Sequence, residues 1–223
     1  MTWHELCVLH WRLDPWVLEP LLPDGIEPDI FDGAAWIGVV PFRMTGVHPR
    51  VVPRMSLSAE FAECDVRTYV TVDGKPGVWF FSLDANDAIV VRLGRLALGL
   101  PYLDASIEVD RDGDTIDYHS RRTHLGAGVA ELSVRYRPVG VPEPPRPGSL
   151  EHFMAERYCL YSSRAGRVFR QEIDHGPWPL QPVEAAIELC TMTQPLGIEL
   201  GPKPVAHYAG ELEVVAWLPG RTG

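Results

Sequence analysis

The feature that most constrains this chain is how often its extended segments are interrupted. Twenty glycines and 21 prolines among 223 residues gather with Asp at points where a backbone must turn. Such residues supply a positive φ or a locked one, and they end strands and helices rather than extend them. Asp14-Pro15, Pro23-Asp24-Gly25, Asp32-Gly33, Asp73-Gly74-Lys75-Pro76-Gly77, Arg111-Asp112-Gly113-Asp114 and Arg164-Ala165-Gly166 all read this way. Between them lie short runs that alternate or are rich in β-branched and aromatic residues: Trp3–Trp11, Phe61–Val72, Val78–Leu83, Tyr102–Asp110, Thr115–Thr123, Val129–Arg137 and Val205–Leu218. Helices are few. Asn86–Leu98 is the best of them, stopped by Gly99-Leu100-Pro101, with brief ones after Pro15 and over Leu150–Glu156. The expected fold class is α+β: a mostly antiparallel, strongly curved sheet or partly closed β-barrel around a pocket, with a few short helices.

Pro138–Ser149 holds five prolines and two glycines. It reads as a surface loop within one domain spanning 1–223 rather than as a linker, because the same strand style continues beyond it. Apolar residues make up 46% of the chain, enough for a sizeable core. The formal charge is 20 − 30 = −10, which argues against a nucleic-acid or anionic-membrane partner. Cys7, Cys64, Cys159 and Cys190 are far apart in sequence and form no CxxC or Cys/His pair, so no metal site is expected. They read as reduced thiols of a cytoplasmic protein. The first residues lack a basic stretch followed by an apolar run, and no stretch of ~18 apolar residues occurs, so neither a signal peptide nor a membrane-spanning helix is expected. No cofactor is implied; a small-molecule ligand is the expected partner, and a homo-oligomer is compatible with everything above.

The chemistry-bearing residues begin with an exclusion. The chain has two lysines, Lys75 and Lys203, and both sit among Gly and Pro in turns. A Schiff-base lysine must be neutral near pH 7, which needs desolvation or a neighbouring cation inside a pocket; turn tips offer water instead. In the strand Phe61–Val72, period-2 alternation puts Phe61, Glu63, Asp65, Arg67 and Tyr69 on one face. That face is either solvated, with its charges paired across the strand, or it lines a polar pocket. In the first strand, His4, Leu6, Val8 and His10 alternate against Trp3, Glu5, Cys7, Leu9 and Trp11. The two histidines are roughly 20 Å apart at strand rise, too far to share a metal, and each reads first as a structural histidine.

His10-Trp11-Arg12-Leu13-Asp14-Pro15, the run Phe31–Met44, Val66–Gly77, Glu156–Tyr161 and Pro177-Trp178-Pro179-Leu180-Gln181 together resemble a YqjF-like family of uncharacterised bacterial proteins. That family carries a domain of unknown function and is placed in the acetoacetate decarboxylase-like superfamily. The resemblance implies the decarboxylase-like fold and pocket. Gly99-Leu100-Pro101-Tyr102-Leu103 is similar to the decarboxylase segment that ends in its paired lysines. Tyr102 then stands at the Schiff-base position, and Leu103 replaces the lysine whose neighbouring charge activates the amine in that enzyme. By ungapped spacing, the resemblance places Glu63 at a pocket glutamate and His4 near a pocket arginine.

The resulting expectation is a protein that binds a small carboxylate or keto compound without covalent amine chemistry. His4, Glu63, Arg67, Tyr69 and Tyr102 would line the site, Arg67 clamping a carboxylate and Tyr102 donating to a carbonyl oxygen. The alternative is a lysine-independent enzyme, an enol-forming isomerase or hydratase with Glu63 as general base and Tyr102 as oxyanion donor. A third reading is a structural or regulatory protein whose pocket is filled by its own side chains.

Overall fold

The computed structural model describes residues 1–47 and 58–222. Thirteen strands occur among them: β1 (Thr2–Leu13), β2 (Glu27–Pro28), β3 (Ala35–Val47), β4 (Ser58–Val72), β5 (Lys75–Ala85), β6 (Tyr102–Asp112), β7 (Thr115–Arg122), β8 (Glu131–Pro138), β9 (Cys159–Arg164), β10 (Arg167–His175), β11 (Leu180–Cys190), β12 (Val205–Ala216) and β13 (Gly220–Arg221). Three short α-helices accompany them: α1 (Pro15–Leu18), α2 (Ala88–Leu93) and α3 (Leu150–Ala155). The Asp and Gly turns expected at Asp32-Gly33, Asp73-Gly74 and Ala165-Gly166 all adopt positive φ. The helix expected over Asn86–Leu98 begins at an Asp87 cap that accepts from Ile89 and Val90, then changes from α to π geometry over Gly94–Leu98.

All strands join one branched sheet. β12, β1, β3, β4 and β5 form a wall, antiparallel throughout. At β5 the sheet forks: Val78 and Trp79 pair with β9, whereas Leu83 to Ala85 pair with β6. At β12 it forks again, Ala209 and its neighbours pairing with β11 and Val214 to Ala216 with β10. The wall is therefore closed twice, once through β9 and β10 and once through β6, β7, β8 and β11. The result is two barrels that share five strands.

This sharing decides burial. One hydrophobic cluster, with Leu6, Val8, Val40, Phe42, Phe61 and Ile173, fills the smaller barrel. Another, with Cys7, Leu9, Val39, Cys64, Val66, Ile116 and Leu132, fills the larger one. Adjacent residues of β1, β3 and β4 thus go to different cores, so both faces of these strands are covered, and the polar residues they carry are buried with the apolar ones. β7 and β8 wall only the larger barrel and keep a plain in–out alternation. α3 packs Met154 and Ala155 onto the smaller core at the Tyr69 end, and α2 packs Val90 and Val91 onto the same core.

Candidate functional site

Because β4 lies within the shared wall, neither of its faces reaches water between Phe61 and Val70. Glu63, Asp65, Arg67 and Tyr69 are each 5% exposed or less, and their face is the one turned into the smaller barrel with Phe61 and Tyr69. The solvated reading of this row is overturned. Three ionisable side chains follow one another at i, i+2 and i+4, two carboxyls and one guanidinium. Burial raises Glu63 to about 8, with Asp65 adding to the rise and Tyr102 and Arg67 opposing it. Burial also raises Asp65 to about 7, against the pull of Arg67. Asp65 Oδ1 stands 3.2 Å from Arg67 Nε, but the pair is not aligned as a hydrogen bond.

Arg67 donates no hydrogen bond to any described residue, and its buried Nε is an orphan. Its side chain lines a small, partly open space shared with Val8, Tyr69, Met154, Trp178 and His207. The space is about 10 Å³, room for roughly one water molecule. A buried guanidinium with its fork unspent is costly unless an anion or water completes it. His10 Nε2 and the Tyr69 hydroxyl are 2.6 Å apart. His10 is fully buried, and desolvation, with Arg67 and His207 nearby, holds its pKa well below the usual histidine range, so it is neutral at pH 7. Gly38 makes this arrangement fit, since it lies between His10 and Arg67 in the register of β1, β3 and β4. A Cβ there would stand 2.8 Å from His10 Nε2 and 3.3 Å from Arg67 Cγ.

α3 and the turn after it close the Tyr69 end. Arg157, 5% exposed, lies over the rings of Phe153 and Tyr69 and pairs with Asp29. Glu151, in the first turn of α3, lies 3.3 Å from His207 Nε2. Burial lowers the His207 pKa although Glu151 works against it.

The structure brings Glu63, Arg67, Tyr69 and Tyr102 to one face of the smaller barrel. The Tyr102 phenol lies beside the Glu63 carboxyl, whose Oε2 accepts from no described residue, and Gly94 of the π segment gives the Tyr102 ring its place. His4 is a correction. Glu5 adopts φ 56° and the β1–β3 register shifts between His4 and Leu9, so the alternation changes phase and His4 does not share the face of His10. It bonds Thr45 and sits 3.4 Å from Glu211 instead. The bulge is held by Glu5, whose carboxylate binds Arg43 at 2.8 Å and Arg111 at 2.7 Å. Neither of the two lysines is near the row: Lys75 is held by both oxygens of Glu172, and Lys203 lies in an exposed loop.

Sequence reasoning missed His10, His207, Glu151 and Trp178 as neighbours of Arg67. His10 was open to discovery, since it stands two positions from Val8 on the face that also carries Leu6. The other three come from β12, α3 and the turn before β11, and nothing local in sequence announces that they converge.

A model of the DUF2071 family, described as an uncharacterised conserved protein, matches residues 1–213. The chain belongs to this family. A curated relative, the uncharacterised protein YqjF of Bacillus subtilis strain 168, is 37% identical over 217 residues, which cover 97% of this chain and 89% of that protein. Among solved structures, the enduracididine biosynthesis enzyme MppR complexed with pyruvate is 12% identical with a TM-score of 0.68, covering 99% of this chain and 88% of that one. Acetoacetate decarboxylase from Legionella pneumophila is 13% identical with a TM-score of 0.63, covering 100% and 87%. An acetoacetate decarboxylase-like enzyme from Sphingomonas wittichii RW1 is 15% identical with a TM-score of 0.66, covering 100% and 92%. The DUF2071 chain thus has the acetoacetate decarboxylase-like fold. Among its described residues no helix is long and apolar enough to cross a membrane.

Proposed function

We propose that this protein binds a small carboxylate or keto acid, its carboxylate seated on Arg67, without forming a Schiff base. The observation that carries the reading is Arg67 itself, buried, facing this small space, and donating no hydrogen bond to a described residue. A planar guanidinium in a dry site matches a carboxylate in two parallel bonds. The pyruvate bound to MppR, a protein of similar fold, supports a ligand of that size and class. Space for only about one water means that such a ligand displaces Met154, whose unbranched thioether side chain repacks easily, or moves α3. Tyr69 supplies a hydroxyl beside Arg67, and Trp178 an indole N–H with no partner. The four free cysteines, three of them buried, support a reducing, cytoplasmic setting.

A second reading, a lysine-independent enzyme, is favoured by Glu63, whose carboxyl is poised at about 8 beside Tyr102. Titration with pyruvate and acetoacetate, followed by calorimetry and by the part of the tryptophan fluorescence that Trp178→Phe removes, tests the binding proposal. Saturable binding is expected, and Arg67→Met should weaken it by about tenfold or more, since hydrogen bonds to a charged group are worth ~1.5–3 kcal/mol. No saturable binding of any small carboxylate would overturn it and leave a protein whose pocket is filled by its own side chains.

A further inference from the structure

We propose that Asp65 is the acid–base group of a proton-transfer activity on 2-oxo acids seated on Arg67, with the Tyr69 hydroxyl, backed by His10, holding the carbonyl oxygen. The inference rests on the carboxylate-binding reading of Arg67 and assigns the chemistry to the other groups around it. It moves the reacting centre away from the Glu63–Tyr102 contact that the sequence suggested.

Asp65 is the carboxyl nearest the guanidinium, 3.2 Å from Nε. It is 3% exposed, and its Oδ1 accepts no hydrogen bond. A buried carboxylate oxygen without a donor is ready to take a proton. The row holds two carboxyls and one guanidinium on the same face, so one cation cannot neutralise both, and a proton must be held somewhere in the row. In a 2-oxo acid the enolisable carbon is two bonds from the carboxylate carbon, which brings its C–H within side-chain reach of the residue adjoining the clamp. Tyr69 lines the same space as Arg67, and neutral His10 lies 2.6 Å from its hydroxyl.

The step balances without a further reagent. The C–H bond adjacent to the carbonyl breaks, and its proton goes to the Asp65 carboxylate. The electron pair forms the C=C bond of the enolate, and the carbonyl oxygen takes the negative charge. Tyr69 donates its O–H to that oxygen and His10 orients the phenol. Return of a proton from Asp65 to carbon regenerates the keto acid, so in heavy water the ligand exchanges hydrogen for deuterium.

The experiment is proton NMR of pyruvate in D₂O with the full-length protein, monitoring loss of the methyl signal against a protein-free control. Binding of the same pyruvate is measured in parallel. Saturable exchange is expected, falling by about 100-fold or more in Asp65→Asn, as removal of a general acid–base does, while the variant still binds pyruvate. Tyr69→Phe, which keeps the ring packing, should also slow exchange and covers the case in which Asp65→Asn fails to fold. Binding without exchange above the control would overturn the proton-transfer proposal and leave the carboxylate site standing. Undiminished exchange in Asp65→Asn would overturn the assignment of the base. Absence of pyruvate binding would overturn the underlying reading of Arg67.

Discussion

Tyr102 and Glu63 meet inside the smaller barrel from opposite sides of β5, the phenol of β6 against the carboxyl of β4. Leu83 pairs with Tyr102 and Ala85 pairs with Glu63, so one strand sets the separation of both. The contact favours the ionised carboxyl, and burial outweighs it. Glu63 should therefore carry its proton at pH 7. Difference infrared spectra of wild type and Glu63→Gln should show a protonated carboxyl C=O band at pH 7 that disappears above pH 9. Tyr102→Phe should move that disappearance to higher pH, since it removes a contact favouring the carboxylate. A wild-type band absent at pH 7 would refute the assignment.

The same two carboxyls give stability a definite pH dependence. Glu63 rises from 4.5 to about 8 and Asp65 from 3.8 to about 7 on folding. Both therefore bind protons more tightly in the folded state. Their contribution is fully present below the unfolded values and is lost as pH rises through the folded ones. Arg67, His10, Tyr69 and Tyr102 surround them, and His10 stays neutral across this range. Thermal unfolding should give a melting temperature that declines between pH 6 and pH 9, with Glu63→Gln flattening the decline. At pH 9 the variant should melt about 3 °C or more above wild type, a shift of roughly 1 kcal/mol for a chain of this size.

Two glycines carry the site's fit. A methyl at Gly94 would overlap the Tyr102 ring, so Gly94→Ala should cost about 1–3 kcal/mol as overpacking and shift the Glu63 titration. Gly38→Ala pushes on His10 and Arg67. It should weaken pyruvate binding more than it lowers the melting temperature. Equal, small effects on both observables would argue that neither glycine positions anything.

Reduction with borohydride in the presence of pyruvate or acetoacetate should leave the protein mass unchanged. The Lys75 amine is held at 2.8 and 2.9 Å by Glu172 on the outside of the smaller barrel's wall, and Lys203 is loop-borne and exposed. Mass spectrometry with peptide mapping is the check. A covalent adduct on either lysine would overturn the exclusion of amine catalysis.

Turn chemistry is local, so it was legible. Asp73-Gly74, Ala165-Gly166 and the Gly99-Leu100-Pro101 stop announce themselves within a few residues, and they were enough to set the α+β class. The placing of both lysines beside Gly and Pro was legible for the same reason: Lys75 opens β5 directly after the Asp73-Gly74 turn, and Lys203 is exposed in a loop. The co-facing of Glu63, Asp65, Arg67 and Tyr69 also follows from period 2 alone. Which medium that face meets does not. It is set by β9 and β10, whose strands begin more than eighty residues after β4 ends, folding over one side of a wall already covered on the other. His4 shows the opposite failure. Alternation predicted its face, but the Glu5 bulge, fixed by Arg43 and by the distant Arg111, changes the phase of β1 within one residue. The sequence by itself determined where the chain turns and, wherever no bulge intervenes, which side chains share a strand face. The tertiary structure decided which faces are dry, because burial depends on the second layer and no strand encodes its own cover.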